Sequence, residues 1–266
     1  MNFFYFSNNE KIVKILDPIE QIDTVFIDLE INGKRSRQPN KNSLISNHKF
    51  EDITNVKNNI SNTALGVRIN PFDINSEYEI NECIRRGADI IMLPMFKDEK
   101  EVIECLDLID GRCKLDLLFE TPKSLDNISK FPLDKIRFIH FGINDLSIAY
   151  NYKNMFECLI SGILEKPINY LNSKKITFGI GGIGAYDTKP ISPKLIIEMH
   201  KYYSSSRIIL SRSFLKKLDL NESRKAQLSN KNEIKQIIDL IKSIMKRNYI
   251  DSKEVKVNLK KALSNI

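Results

Sequence analysis

Short apolar runs rich in Val, Ile and Phe recur along the chain, at residues 3–6, 25–29, 64–69, 90–93, 115–119, 136–141, 176–180 and 207–210. Between them, apolar positions fall three and four residues apart, the spacing of a helix that buries one face. A strand covered on both sides reads as an unbroken apolar run, so this alternation predicts parallel strands joined by crossover helices. The clearest helix spans 98–109. Asp98 stands at its N-cap, Glu101 completes a capping box, and Val102, Leu106 and Ile109 share one face. Softer helical patterns cover 77–86, 122–130, 154–171 and 193–203. The fold class expected from eight such units is α/β, a (β/α)8 TIM barrel rather than an open doubly wound sheet.

Near the C-terminus, Ile234, Ile237, Ile238, Ile241, Ile244 and Met245 keep the helical period, which predicts an additional amphipathic helix over 232–247. The expected organisation is a barrel over 1–215 and a basic helical extension over 216–266, packed on the barrel or on a neighbouring subunit. A chain of 266 residues suits a single barrel of about 250.

The net charge of +7 changes little once it is located. Residues 216–266 carry 13 Lys and Arg against 6 Asp and Glu, and the remainder is balanced. No dense basic run interleaved with aromatics occurs, so the tail reads as a solvated helix face and nucleic-acid binding is not expected. Cys83, Cys105, Cys113 and Cys158 form no CxxC pair and no metal-finger spacing, which fits a reducing compartment. The first residues lack the basic flank and long apolar stretch of a signal peptide, and no apolar run is long enough to span a membrane. A soluble cytoplasmic protein is expected.

Catalytic groups of a barrel lie at or just past the C-terminal ends of its strands. The polar residues there are Asp28 and Glu30, Arg68 and Asn70, Glu120, and Asn144 and Asp145, with Pro94 after the fourth strand. Glu120 and Asp145 sit one strand–helix unit apart, and two carboxylates suffice for Mg2+, although spacing alone fits better a surface ion pair at Glu120 and a helix cap at Asp145. Arg68, in a strand buried on both faces, needs a partner: a substrate carboxylate and enolate oxygen, or Asp28 in a structural ion pair. His48, in the polar stretch after strand two, is the one histidine placed to reach the mouth, whereas His140 and His200 fall inside elements. Gly179 to Gly184 matches G-x-G-x-x-G, but Pro190 and Pro193 interrupt the helix that a dinucleotide fold requires. A glycine-rich turn after strand seven, either holding an anion on its backbone or simply tight, is expected instead.

Taken in order, Phe-Ile-Asp-Leu-Glu at 26–30, Gly-Val-Arg-Ile-Asn at 66–70, Gly-Ala-Asp-Ile-Ile-Met-Leu-Pro at 87–94, Leu-Phe-Glu-Thr-Pro at 118–122 and Gly-Ile-Asn-Asp-Leu-Ser at 142–147 resemble the HpcH/HpaI aldolase and citrate lyase β-subunit family over roughly residues 20–215. The resemblance implies a phosphoenolpyruvate/pyruvate-type barrel that makes or breaks a carbon–carbon bond of a small oxo- or hydroxy-acid through an enolate. It implies Glu120 and Asp145 as ligands of Mg2+ or Mn2+, Arg68 as holder of carboxylate and enolate, and Gly142, Ile143 and Asn144 as substrate cradle. Asp28 and His48 join Arg68 as catalytic candidates, and a homo-oligomer is expected. The chain departs from the aldolase pattern at Ile31, where the family's pyruvate aldolases usually carry a histidine for proton transfer, and this leaves the base open. Asp-Leu-Glu instead resembles the citrate lyase branch, in which Lys34, Arg35 and Arg37 would meet the phosphate of a coenzyme A thioester. The missing histidine also motivates a rival: a degenerate barrel that serves as a metabolite-binding or assembly subunit.

Overall fold

The computed structural model describes residues 1–33, 47–189 and 191–265. Among them, strands β1 (Asn2–Phe6), β2 (Ile22–Asp28), β3 (Ala64–Arg68), β4 (Ile90–Leu93), β5 (Lys114–Phe119), β6 (Phe138–Phe141), β7 (Phe178–Ile183) and β8 (Arg207–Leu210) close in chain order into a parallel barrel. The closure is the pairing of β1 with β8, where Phe4 faces Ile209. Every predicted run is a strand, and the fold is the (β/α)8 barrel.

Around it run α1 (Glu10–Leu16), α2 (Phe50–Lys57), α3 (Ser76–Arg85), α4 (Glu99–Ile109), α5 (Pro122–Asp126), α6 (Ile143–Ala149), α7 (Glu165–Ser173), α8 (Pro193–Tyr203), α9 (Arg212–Leu215), α10 (Arg224–Met245) and α11 (Ser252–Leu263). Local chemistry sets several starts. The Asn9 side chain accepts from the amides of Lys11 and Ile12 to begin α1, and Ser192 accepts from Leu195 just ahead of the Pro193 that opens α8. At α4 the Asp98 carboxylate accepts from the Glu101 amide, as expected, but Glu101 reaches back to the amide of Lys97 rather than to that of Asp98.

Four expectations need correction. The helix read over 154–171 is a 3-10 turn, Met155–Leu159, followed by α7, because Gly162 turns the chain between them with φ 90°. The helix read over 122–130 ends at Asp126 and continues as a 3-10 turn, Ile128–Lys130. The glycine-rich segment is not a turn after strand seven. β7 runs through Gly179, Gly181 and Gly182, its pairing with β8 shifts between Gly179 and Gly182, and Gly181 takes the left-handed φ of 48° that such a bulge favours. The C-terminal extension holds two helices, α10 and α11, where one was read.

The outer faces of the strands and the inner faces of the helices form one apolar cluster, which includes Ile234, Ile237, Ile241 and Ile244 of α10 and Val255 and Leu259 of α11. Both C-terminal helices pack on α8. Lys201 of α8 donates through Nζ to the carbonyl oxygens of Met245 (2.6 Å) and Arg247 at the end of α10. Inside the barrel, Phe4, Phe26, Ile90, Met92 and Leu118 form a separate small cluster. Below it, at the N-terminal ends of the strands, Arg137 donates from Nε to Asp116 (2.7 Å), Arg207 pairs with Asp23, and the Arg207 guanidinium lies 3.9 Å from the Phe138 ring centroid. No helix among the described residues is long and apolar enough to cross a membrane.

Because α10 shares the core of the barrel, truncating Ile244, which is fully buried, should destabilise the whole molecule rather than detach its tail. Ile244→Ala is expected to lower unfolding free energy by about 2–5 kcal/mol in a single urea transition. A separate early transition, with the barrel signal unshifted, would show that the extension is energetically independent.

Candidate active site

Side chains alternate along a strand, so the positions two residues beyond the barrel's interior cluster also face inward, one layer nearer the mouth. From Phe26 this step leads to Asp28, from Gly66 to Arg68, from Leu118 to Glu120, and from His140 to Gly142. All four line one cavity of about 550 Å³ at the C-terminal ends of the strands, together with Ile143, Asn144 and Asp145 from the first turn of α6. One site thus gathers Asp28, Arg68, Glu120, Gly142, Ile143, Asn144 and Asp145. His48 is not among its lining residues.

Arg68 and Asp28 are register partners in β3 and β2, which explains their two-pronged contact: Nε to Oδ1 at 2.9 Å and Nη2 to Oδ2 at 2.8 Å. Glu30 adds Oε2 at 3.3 Å from Nη1, and the Phe6 ring centroid lies 4.8 Å from the guanidinium carbon. Burial opposes the Arg68 charge, but Asp28 and Glu30 outweigh it and raise the guanidinium pKa. The alternative of an Asp28 ion pair is therefore realised. It does not close the arginine to a ligand, because Nη1 and Nη2 each carry a second N–H and Arg68 lines the cavity.

Glu120 is 3% exposed, which removes the surface ion-pair explanation. Its Oε1 accepts from the Met95 amide (3.1 Å), and Met95 takes a left-handed φ of 56° immediately after Pro94. On the other side, a Cβ at residue 142 would lie 2.6 Å from Glu120 Oε2, so only glycine lets the carboxylate keep this place. Glu120 and Asp145 offer hard oxygen donors to one cavity, which suits Mg2+ or Mn2+ and the one or two carboxylates that Mg2+ commonly takes. Among the described residues no group of three or more His, Cys, Asp and Glu could hold a metal, so a cation here would need water or substrate oxygens to complete its shell.

The other candidates are anchored elsewhere. His48 accepts the Asp28 amide on Nδ1 (2.9 Å), which places its proton on Nε2, and burial lowers its pKa against the pull of Asp28 and Asp52. Asn70 turns away from the cavity. Its amide nitrogen donates to Glu79 (2.9 Å), while its oxygen accepts from the amides of Ile31 and Asn32 (2.9 Å each) and so pins the start of the loop after β2. His140, 1% exposed, does line the cavity. Its Nε2 is 3.0 Å from the Gly181 carbonyl oxygen, and burial lowers its pKa to about 3. Lys34, Arg35 and Arg37 lie outside the described residues. The sequence reading missed Arg212 and Lys216, which line the same cavity beyond β8. Arg212 follows the apolar run 207–210 closely, so the rule that found Glu120 reaches it too.

No protein-family model matches the chain, and no curated protein matches its sequence. Similar solved structures do exist. The HpcH/HpaI aldolase from Desulfitobacterium hafniense DCB-2 superposes with a TM-score of 0.59 at 13% identity, over 94% of this chain and 95% of that one. This chain shares that fold. Citrate synthase SbnG gives 0.57 at 14% identity over 90% and 94% of the two chains. RipC from Yersinia pestis gives 0.57 at 15% over 96% and 98%. In each case the barrel is matched over nearly the full length of both molecules, and at these identities the likeness is one of fold.

The Glu79–Asn70 contact carries a pH signature. Burial raises the Glu79 carboxyl from 4.5 to about 7, against hydrogen bonds from Asn70 that favour its charged form. The native state therefore binds this proton more tightly than the unfolded chain does, and the associated stability is lost as pH rises from about 4.5 through about 7. Glu79→Gln, which keeps an acceptor without the charge, should gain melting temperature relative to wild type between pH 5 and pH 8. An unchanged difference between the two proteins across that range would contradict this assignment.

Proposed function

We propose that the chain is a carbon–carbon lyase that cleaves, or in reverse forms, a small oxo- or hydroxy-acid by retro-aldol or retro-Claisen chemistry. The observation that carries this reading is the convergence of Glu120, Asp145 and the Asp28–Arg68 pair on one cavity at the barrel mouth. Likeness of fold to an aldolase and a citrate synthase supports it. Glu120 and Asp145 would hold Mg2+ or Mn2+. When bound, the cation supplies Lewis-acid polarisation of the substrate oxygens.

The protein's own groups then act as follows. Arg68 presents N–H groups to the substrate carboxylate and to the oxygen on which charge develops as the carbon–carbon bond breaks. Asp28 and Glu30 hold that guanidinium in place, so its orientation is set before substrate arrives. The Met95 amide and the absence of a side chain at Gly142 fix Glu120 in the same way. The backbone of Gly142 and Ile143 and the side chain of Asn144 form the adjacent wall, shaped for a small acid. His48, held on the Asp28 amide, supports the strand end that carries Asp28.

The test is pyruvate release from 4-hydroxy-2-oxo acids by the purified protein with Mg2+ and with chelator. Glu120→Ala and Asp145→Ala should each lower Mg2+-dependent turnover by about a hundredfold or more, while far-UV circular dichroism and melting temperature stay close to wild type. Unchanged turnover in both variants would refute the assignment. Tight acid binding with no product from wild type under any metal condition would favour a metabolite-binding barrel instead.

A further inference from the structure

Away from the mouth, α1 and α10 leave a groove of about 1250 Å³ between them, more than twice the volume of the active-site cavity. Its floor is apolar. Ile234 is buried there, while Ile15, Ile19 and Ile238 stay half-buried at the edge of the core. Both walls run the same way: α1 descends from the mouth end of β1 to the floor end of β2, and α10 ends against Lys201, where α8 descends toward β8. Along each wall the charges follow one order. Glu10 and Glu222 open the groove, Lys11 and Lys14 stand across from Lys231 and Lys235 in its middle, and Glu20 and Asp239 follow toward its far end. Lys242 lies beyond Asp239, so five lysines and four carboxylates line the groove in all. Between Lys11 and Ile19 on one wall, and between Gln227 and Ile238 on the other, no carboxylate lines it. None of these lysines pairs with a carboxylate among the described residues. Like charges three apart on α1 and four apart on α10 repel, and an anionic neighbour would relieve both pairs.

We propose that this groove docks an acidic amphipathic helix of a partner protein, about ten residues long, with its apolar stripe on the isoleucines and its carboxylates against the lysines of both walls. Size supports it. Ten residues of helix, ~15 Å long and ~10 Å across, occupy about 1200 Å³, close to the volume of the groove. A single fatty-acyl chain would leave most of that space empty. An apolar floor between charged walls is also how a groove takes a helix, through anchors three and four residues apart. The order of charges narrows the match further. The partner's carboxylates belong in its middle turns, because acidic ends would meet Glu10 and Glu222 at one end and Glu20 and Asp239 at the other. The groove shares no lining residue with the active-site cavity, so the inference does not depend on the lyase reading.

The test is fluorescence anisotropy of the full chain with three stapled helical peptides of about fourteen residues, which share one leucine stripe and carry Glu, Gln or Lys beside it in the middle turns. Wild type should bind the Glu peptide, bind the Gln peptide about tenfold less tightly, as a few exposed ion pairs allow, and leave the Lys peptide free. Added salt should narrow the first difference. Lys14→Glu/Lys235→Glu should reverse the order of the Glu and Lys peptides, and Ile238→Ser should weaken the Glu and Gln peptides alike. Lys260→Glu/Lys261→Glu, on the exposed side of α11, should change nothing. No binding of the Glu peptide, equal affinity for all three, or binding untouched by the groove variants overturns the proposal. If no peptide binds, dodecanoate binding that Ile238→Ser abolishes makes the occupant a small amphiphile, and self-association of the chain that the same variant abolishes makes it a second copy.

Discussion

A guanidinium inside a barrel must be neutralised where it stands, because removing it from water costs several kcal/mol unless acceptors replace the lost hydration. Arg68 meets that demand through strand register: β2 pairs with β3 so that Asp28 lies directly beside it, and the chain beyond β2 returns Glu30 to the same group. The arrangement does more than satisfy a charge. It sets the plane of the guanidinium, holds the ends of two strands together, and lets one cationic group face the cavity without rotating. His48 on the Asp28 amide and Asn70 on the amides of Ile31 and Asn32 reinforce the same corner from outside. The β2–β3 corner of the mouth is therefore braced from both sides.

The opposite wall is built on different terms. Glu120 is held by an amide that exists in that position only because Met95 adopts a left-handed conformation, and by a neighbour with no side chain. Backbone strain of this kind costs on the order of 1 kcal/mol or more, and it is retained where the surrounding structure over-determines it. The backbone on both sides of Glu120 thus fixes where its carboxylate stands in the cavity.

Much of this was legible in the sequence, because strands covered on both sides read as unbroken apolar runs whose polar ends stand out. Eight apolar runs located the strands, and asking which polar residue ended each run reached Asp28, Arg68, Glu120, Asn144 and Asp145 directly. Gly142 and Ile143 came with the family resemblance. Other features lay beyond local pattern. Asn70 has the same parity as Arg68, yet Glu79, nine residues away on α3, captures it. The glycines of β7 look like a turn in one dimension but form a bulged strand, because pairing with β8 holds the backbone extended on both sides of Gly181. Gly162 ends a helical pattern that apolar spacing alone would have continued. Arg212 lies two residues past the eighth apolar run, and Lys216 is brought to the cavity only by the helical turn that follows it.

The two ends of the barrel differ in kind. At the N-terminal end, Asp116, Arg137, Asp23, Arg207 and the Phe138 ring form a stopper of ion pairs and aromatic surface beneath the interior phenylalanines. Whatever occupies the upper chamber meets this stopper beneath it and faces the mouth above. Depth is therefore graded along the barrel axis: a guest that enters by the mouth reaches the braced acids and arginine first and is halted by the phenylalanines before it can touch the ion pairs at the floor.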